Sequence, residues 1–155
     1  TGADAAAFEV VNGELRLKAG TALNFETKSS YAVTVNVVDA AIPGSTPVTA
    51  NYTLTVTDVN EAPTAVVLNN QLASRAENSP SAAAIRVADI AITDDALGIE
   101  EISLTGADAA FFELVGSELR LRAGTTLNFE AKSSYSVTVN VVDRSLSAPA
   151  VTANY

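Results

Sequence analysis

An internal repeat constrains this chain more than any other feature. Residues 1–39 align without a gap with residues 105–143, and 31 of the 39 positions are identical. After a divergent loop the two copies match again at VTANY, which occupies 48–52 and 151–155. Self-similarity at a fixed period is typical of tandem repeat proteins. The 155 residues therefore contain about one and a half copies of a unit that repeats every 104 residues.

The repeat has the hydrophobic pattern of short β-strands. Tyr and Val residues alternate with small or polar residues over 31–37, and VTANYTLTV (48–56) alternates in the same way. This period of two predicts half-buried strands. The sequence FEVV-NG-ELRL (8–17) predicts a hairpin with a type I′ turn, and the Gly-Ser of the second copy suits type II′. The fold class expected is all-β, an antiparallel β-sandwich with about seven short strands per repeat.

Two other segments complete this assignment. AAAIRVADIAI (82–92) predicts a strand, and ADAAAF (3–8) predicts one short helical turn.

The repeat phase divides the chain into 1–60, the C-terminal part of one repeat without its first strands, and 61–155, the next repeat without its last strand. Two interpretations remain open: the polypeptide continues in both directions, or strands are exchanged between copies as in strand-complemented filaments.

Composition excludes several classes of function. The chain has no Cys, His, Met or Trp, so thiol nucleophiles, Cys/His metal sites and imidazole bases cannot be built from it. Its net charge is −9, which argues against nucleic acid and anionic membranes as partners. No apolar stretch approaches the length of a membrane span. We expect a protein that is not an enzyme, binds no nucleic acid and does not insert into a membrane.

Acidic and amide residues concentrate at the predicted strand ends. They fall in five groups: 24–26 with 128–130, Asp39 with Asp143, 58–61, 77–78, and 94–95. Oxygen ligands from several short segments are what a hard cation such as Ca²⁺ requires. Turns also favour Asp and Asn for local hydrogen bonds. The residue chemistry alone leaves both interpretations open.

The order of these segments resembles the cadherin family. TDVNEAP (57–63) is similar to the cadherin linker D-x-N-D-N-x-P, and LNFE (23–26 and 127–130) is similar to L-D-x-E. AENSP (76–80) resembles the P-E-N motif, TDDALG (93–98) resembles D-x-D-x-G, and VVD (37–39 and 141–143) lies where cadherins have D-x-G. The run G-A-D-A-A-A-F-E is typical of the bacterial cadherin-like branch. The resemblance covers essentially the whole chain and implies cadherin/Ig-like β-sandwich repeats.

In that family calcium lies between consecutive repeats, and the resemblance implies which residues would bind it here. The implied ligands are Glu26 from the upstream repeat, Asp58, Asn60 and Glu61 from the linker, and Asp94, Asp95 and Asp143 from the downstream repeat. Glu77 and Glu130 would face the next junction and Asp39 the previous one. Three departures reduce the expected number of ions to one or two: Asn24 and Asn128 replace the first Asp of L-D-x-E, Glu61-Ala62 replaces the Asp-Asn of the linker, and Asp94 and Asp95 are adjacent.

The resemblance implies a structural and adhesive module of a large extracellular bacterial surface, biofilm-matrix or filament protein, rigidified by Ca²⁺. Its expected partners are neighbouring repeats of the same protein, by strand pairing in the filament case, and a cell-surface protein or glycan. The alternative is a carbohydrate-binding module. With no Trp, only the four tyrosines could form an aromatic platform, and their strand register favours packing instead: Tyr31, Tyr52, Tyr135 and Tyr155.

Overall fold

The all-β prediction is confirmed by a computed structural model of the chain. The structure describes residues 1–79, 82–95 and 97–155, which contain eleven strands, two short 3-10 turns and no α-helix. Accordingly, no described helix has the length and hydropathy that crossing a membrane requires. The chain forms two compact units, Thr1–Val59 (unit 1) and Asn60–Tyr155 (unit 2). The assignment of each unit as an incomplete repeat stays a prediction.

Unit 1 consists of two pairs of antiparallel strands. β1 (Phe8–Val11) pairs with β2 (Glu14–Leu17), and β3 (Ser30–Val37) pairs with β4 (Val48–Thr55). Both pairs have the strand register expected from the period-two pattern. Two-stranded ribbons have little stability of their own in water, so unit 1 has a weak framework.

The turns of the two β-hairpins agree with the sequence. Asn12 and Gly13 both have positive φ, 51° and 82°, as a type I′ turn requires. In unit 2 only the first of the two turn residues, Gly116, has positive φ, 58°, which is the type II′ pattern. The predicted helical turn is also confirmed, since Ala5–Ala7 forms one turn of 3-10 helix.

Unit 2 contains two antiparallel sheets. Its strands are β5 (Ala65–Asn69), β6 (Ile85–Thr93), β7 (Glu100–Thr105), β8 (Phe112–Val115), β9 (Glu118–Leu121), β10 (Thr138–Asp143) and β11 (Val151–Asn154). One sheet has the order β5-β6-β9-β8 and the other the order β11-β10-β7. A four-stranded and a three-stranded sheet in these orders form the sandwich of immunoglobulin-like domains.

The core of unit 2 lies between these sheets. Alternate residues of β10 point into it: Val139 and Val141 are completely buried, while the alternating Thr138 and Asn140 are partly exposed. From the other sheet, Leu119 on β9 is also completely buried. The alternation follows from the side-chain period of a strand and places Asp143, the last residue of β10, on the same buried face as Val139 and Val141.

Equivalent residues of the two units differ in exposure. Val141 has 0% of its surface exposed, whereas Val37, its counterpart 104 residues earlier, has 64% exposed. Val141 pairs on one side with Val151 and on the other with Ile102 of β7. Val37 pairs with Val48 of β4 and has no counterpart of β7 among the residues of unit 1. The pairing with β7 therefore covers in unit 2 a position that is open in unit 1.

An aspartate forms an ion pair beside the same turn in both units. Asp108, only 5% exposed, forms an ion pair with Lys132 at 2.7 Å and accepts a 3.0 Å hydrogen bond from the Ser136 amide. Asp4 and Lys28 form the equivalent pair in unit 1, at 2.8 Å. The Lys132 ammonium, with the Ser136 amide, holds the pKa of Asp108 below its ordinary value. This pair joins the 3-10 turn to the start of the following long strand.

Candidate cation site

Acidic and amide side chains meet at one end of unit 2. Asn60 and Glu61 precede β5, Asp94 and Asp95 lie in the loop between β6 and β7, and Asp143 is the last residue of β10. The hydrogen bonds that join these segments within unit 2 fix the end of the sandwich. Five of the seven ligands implied by the sequence are thus brought to one region.

Asp143 is the most deeply buried member of this group, with 2% of its surface exposed. Its Oδ2 accepts a 2.7 Å bond from the Asn60 amide, and its Oδ1 accepts 2.6 Å bonds from both the amide and the hydroxyl of Ser145. The Ser145 hydroxyl and the Asn60 amide hold the pKa of Asp143 below its ordinary value. The carboxylate therefore stays ionised, as a cation ligand must be.

Gly98 makes room for this carboxylate. A Cβ at Gly98 would lie 2.1 Å from Asp143 Oδ2 and 2.7 Å from Asn60 Oδ1, and its φ of +79° is one that other residues rarely adopt. The glycine of the TDDALG motif is thus required both by backbone conformation and by the space that the two oxygens occupy.

Asp95 connects the loop to the segment that enters unit 2. Its carboxylate accepts 2.8 Å hydrogen bonds from the Glu61 amide and from the Leu97 amide. These two amides lower the pKa of Asp95, with the Glu61 amide as the larger cause. Asp95 thereby combines the turn-stabilising role of an aspartate with the charge of a possible ligand.

Asp94 and Glu100 form a pair of like charges. Both carboxylate oxygens of Asp94 and one of Glu100 are buried and form no hydrogen bond of good geometry with the described residues, and the same is true of Asn60 Oδ1. Burial is the main cause that raises the pKa of Asp94, and the neighbouring Glu100 carboxyl raises it further. The Asp95 amide lies near enough to the Asp94 carboxylate to lower its pKa in part. Buried anionic oxygens without donors are costly, and a cation bound by them offsets that cost. These oxygens fit the hard-cation chemistry of Ca²⁺.

Glu100 was not among the residues predicted from the sequence. It opens strand β7, and antiparallel pairing places it directly across from Asp143. The sequence signals Glu100 only by its position two residues after Gly98. Its proximity to Asp143 depends on the β7–β10 register, which the sequence motifs do not specify. A search restricted to the motif residues misses it for that reason.

The other implied ligands, Glu26 and Asp58, belong to unit 1. Glu26 is exposed between β2 and β3, and Asp58 is partly buried in the segment after β4. Their role as ligands stays a prediction. In AENSP and TDDALG, Pro80 and Ala96 lie outside the described residues.

The LNFE segments form turns. Asn24 Oδ1 accepts a 2.7 Å bond from the Thr27 amide, and Asn128 Oδ1 accepts an equal bond from the Ala131 amide. In unit 2, Glu77 also accepts a 2.8 Å bond from the Phe129 amide. The asparagine that replaces Asp in this motif therefore stabilises a local turn in both copies.

Three of the four tyrosines pack edge-to-face on phenylalanines. Tyr135 contacts Phe111 with ring centres 5.1 Å apart, and Tyr155 contacts Phe112 at 5.8 Å. Tyr52 contacts Phe8 in the same manner at 6.0 Å. Such pairs stabilise the packing within each unit, as the strand register favoured, although Tyr52 keeps 46% of its surface exposed.

No protein-family model matches this chain, and no curated protein matches it. Solved structures do match. Protocadherin gamma B2 extracellular cadherin domains 1–5 match with 24% identity and a TM-score of 0.70, over 99% of this chain and 29% of that one. Protocadherin gamma B7 domains 1–4 match with 22% identity and a TM-score of 0.68, over 99% and 37%. Chicken VE-cadherin EC1-2 matches with 20% identity and a TM-score of 0.56, over 96% and 75%.

These likenesses define the fold as the cadherin/Ig-like β-sandwich, in agreement with the resemblance found in the sequence. The chain spans about a third of the length of the two protocadherin structures. At these identities the likeness concerns the fold, and the function has to be argued from the site.

Proposed function

We propose that this chain is part of a calcium-stabilised structural and adhesive repeat module of a large extracellular protein. The observation that supports it most directly is the group of buried oxygens of Asp94, Glu100 and Asn60, which form no hydrogen bond of good geometry with the described residues. A hard cation at this end of unit 2 would neutralise the Asp94–Glu100 repulsion and fix the loop between β6 and β7. Calcium would thereby stiffen the end of the repeat.

The finer features of the proposal follow from the sequence resemblance. They are a bacterial surface, matrix or filament protein, an extracellular location, no enzymatic activity, and a ligand set that also includes Glu26 and Asp58. The cadherin fold and the tandem repeat support this assignment, because repeated sandwiches gain reach from copy number. The partners proposed are neighbouring repeats and a surface protein or glycan.

Calcium titration followed by thermal unfolding tests the cation site. Extracellular calcium modules bind with dissociation constants on the order of 10⁻⁴–10⁻³ M. At ten times the dissociation constant, one site stabilises the folded state by about 1.4 kcal/mol. For a unit of this size we expect Tm to rise by roughly 5–10 °C.

The effect of Asp94→Asn and of Glu100→Gln on Tm should depend on whether calcium is bound. Without the ion each should raise Tm, because it removes one of two facing charges; with the ion each should reduce the calcium-dependent increase. Glu9→Gln, on the exposed side of β1, is the matched control and should leave that increase unchanged. An equal calcium response in Asp94→Asn and in the unaltered chain would reject the site.

A further inference from the structure

The turn between β1 and β2 places an amide side chain directly before a glycine. Asn12 and Gly13 are both exposed, with the positive φ angles of a type I′ turn. Among the residues that the structure describes, none forms a hydrogen bond with the Asn12 side chain or with the Gly13 backbone amide. A Cβ built at Gly13 would have no atom within 4 Å, so the space around its backbone nitrogen is open.

The same hairpin in unit 2 shows that a neighbouring strand leaves this turn exposed. There β6 pairs with β9, and the Ile90 amide donates a 2.7 Å hydrogen bond to the Ser117 carbonyl. Gly116 and Ser117, the counterparts of Asn12 and Gly13, are nevertheless both exposed. Within the described part of the chain, the Ser117 amide also forms no hydrogen bond. Exposure of the turn is therefore a property of the repeated hairpin and does not depend on which strands flank it.

We propose that Asn12 is a site of spontaneous deamidation, with water as the only co-reactant. The Gly13 nitrogen forms a bond to Asn12 Cγ and loses its proton, while the Cγ–Nδ2 bond breaks and ammonia leaves with that proton. Water then adds to one carbonyl of the resulting cyclic imide, and the bond from that carbonyl to the Gly13 nitrogen breaks. Opening at Cγ gives aspartate, and opening at the main-chain carbonyl gives isoaspartate. Either product adds one negative charge to the net charge of −9.

Gly13 distinguishes this site from the other asparagines with the same backbone conformation. Asn70 and Asn78 also have positive φ, 49° and 54°, but neither is followed by glycine. Attack on Cγ requires the next backbone nitrogen to come close to the side chain, and a residue without a Cβ allows the closest approach. In addition, the Asn70 side chain donates a 2.7 Å hydrogen bond to Asp89, which holds it away from such an attack.

The two products differ in their effect on the hairpin. Aspartate before glycine keeps the turn, because Asp-Gly suits type I′ as Asn-Gly does. Isoaspartate inserts one additional carbon into the main chain, so the loop no longer has the geometry that sets the pairing of Val11 with Glu14. Deamidation therefore loosens the hairpin of unit 1 with time. The Gly-Ser turn of unit 2 has no side-chain amide and keeps its structure.

Incubation of the full chain at neutral pH, followed by tryptic digestion and mass spectrometry, tests this proposal. Peptide 1–16 contains Asn12 as its only side-chain amide, and peptide 76–86 contains only Asn78. We expect peptide 1–16 to gain about 1 Da and to separate into aspartate and isoaspartate forms. The gain should be at least about tenfold faster than in peptide 76–86, where serine follows the asparagine. Peptide 87–120, which covers the second hairpin, has no side-chain amide and should keep its mass.

Asn12→Gly is the matched control, because Gly-Gly also suits a type I′ turn and has no side-chain amide. This variant should keep the hairpin and show no mass gain in peptide 1–16. In the unaltered chain, the isoaspartate fraction should lose the protection of the Glu14 amide from hydrogen exchange. An unchanged mass of peptide 1–16, or a gain no faster than in peptide 76–86, would overturn the site. Isoaspartate formation with unchanged exchange of the Glu14 amide would overturn the effect on the hairpin.

Discussion

Val141→Ala and Val37→Ala form a pair of substitutions that tests where the stability of the fold resides. The two valines occupy the same repeat position, but their exposed fractions are 0% and 64%. Val141 is enclosed between β11 and β7, and loss of its two methyl groups removes about 1.6 kcal/mol of transfer free energy at roughly 0.8 kcal/mol per group. The cavity left behind adds to this, for a total of about 2–3 kcal/mol. At Val37 roughly a third of that transfer energy applies, about 0.5 kcal/mol.

Urea unfolding followed by circular dichroism measures both changes. Hydrogen exchange of the Val139 and Val35 amides assigns each loss to its own unit. We expect unit 2 to lose about 2–3 kcal/mol in Val141→Ala, and unit 1 to lose several times less in Val37→Ala. Equal losses would refute the reasoning, because they would show that the pairing with β7 adds nothing to the burial of this position.

Three further predictions concern the site and the turns. Gly98→Ala should destabilise unit 2 more than Gly124→Ala, since both have φ near +80° but only the first Cβ meets other atoms; calorimetry of both variants measures the difference. Without calcium, unit 2 should lose stability as pH rises above about 4 through the raised pKa of Asp94, and Asp94→Asn should abolish this loss in a pH series of melting curves. Lys132→Met should raise the pKa of Asp108, so that acid unfolding begins at higher pH, as an acid titration will show.

The sequence correctly predicted the elements whose geometry depends only on residues that are adjacent in the chain. The Asn12-Gly13 turn and the alternation of β10 are examples, since turn conformation and side-chain period are properties of a few consecutive residues. Similar sequences nevertheless give a strand over Ser30–Val37 in unit 1 and a shorter one over Thr138–Asp143 in unit 2. The extent of each strand follows its partner, because β4 pairs with all eight residues of β3 and β7 pairs with all six residues of β10.

The site was only partly predictable for the same reason. Asp94, Asp95 and Asp143 stand out as acidic residues at strand ends, and the structure brings them to one end of unit 2. Glu100 depends on the register between β7 and β10, which no local pattern specifies. Asp108 was equally hidden, because its partner Lys132 is far along the chain and meets it only when the sandwich forms.

The identity of β2 and β9 has a consequence for folding. Both strands have the sequence ELRL, so β2 has the same side chains as β9, the native partner of β6. The connection from β2 to β6 is nearly three times as long as the one from β6 to β9. Loop-closure entropy then favours the native pairing by only about 0.9 kcal/mol. During folding, the native β6–β9 pairing must compete with a β6–β2 pairing of almost equal stability. The turns and strands that flank β2 and β9 therefore have to supply the remaining preference for the native sheet.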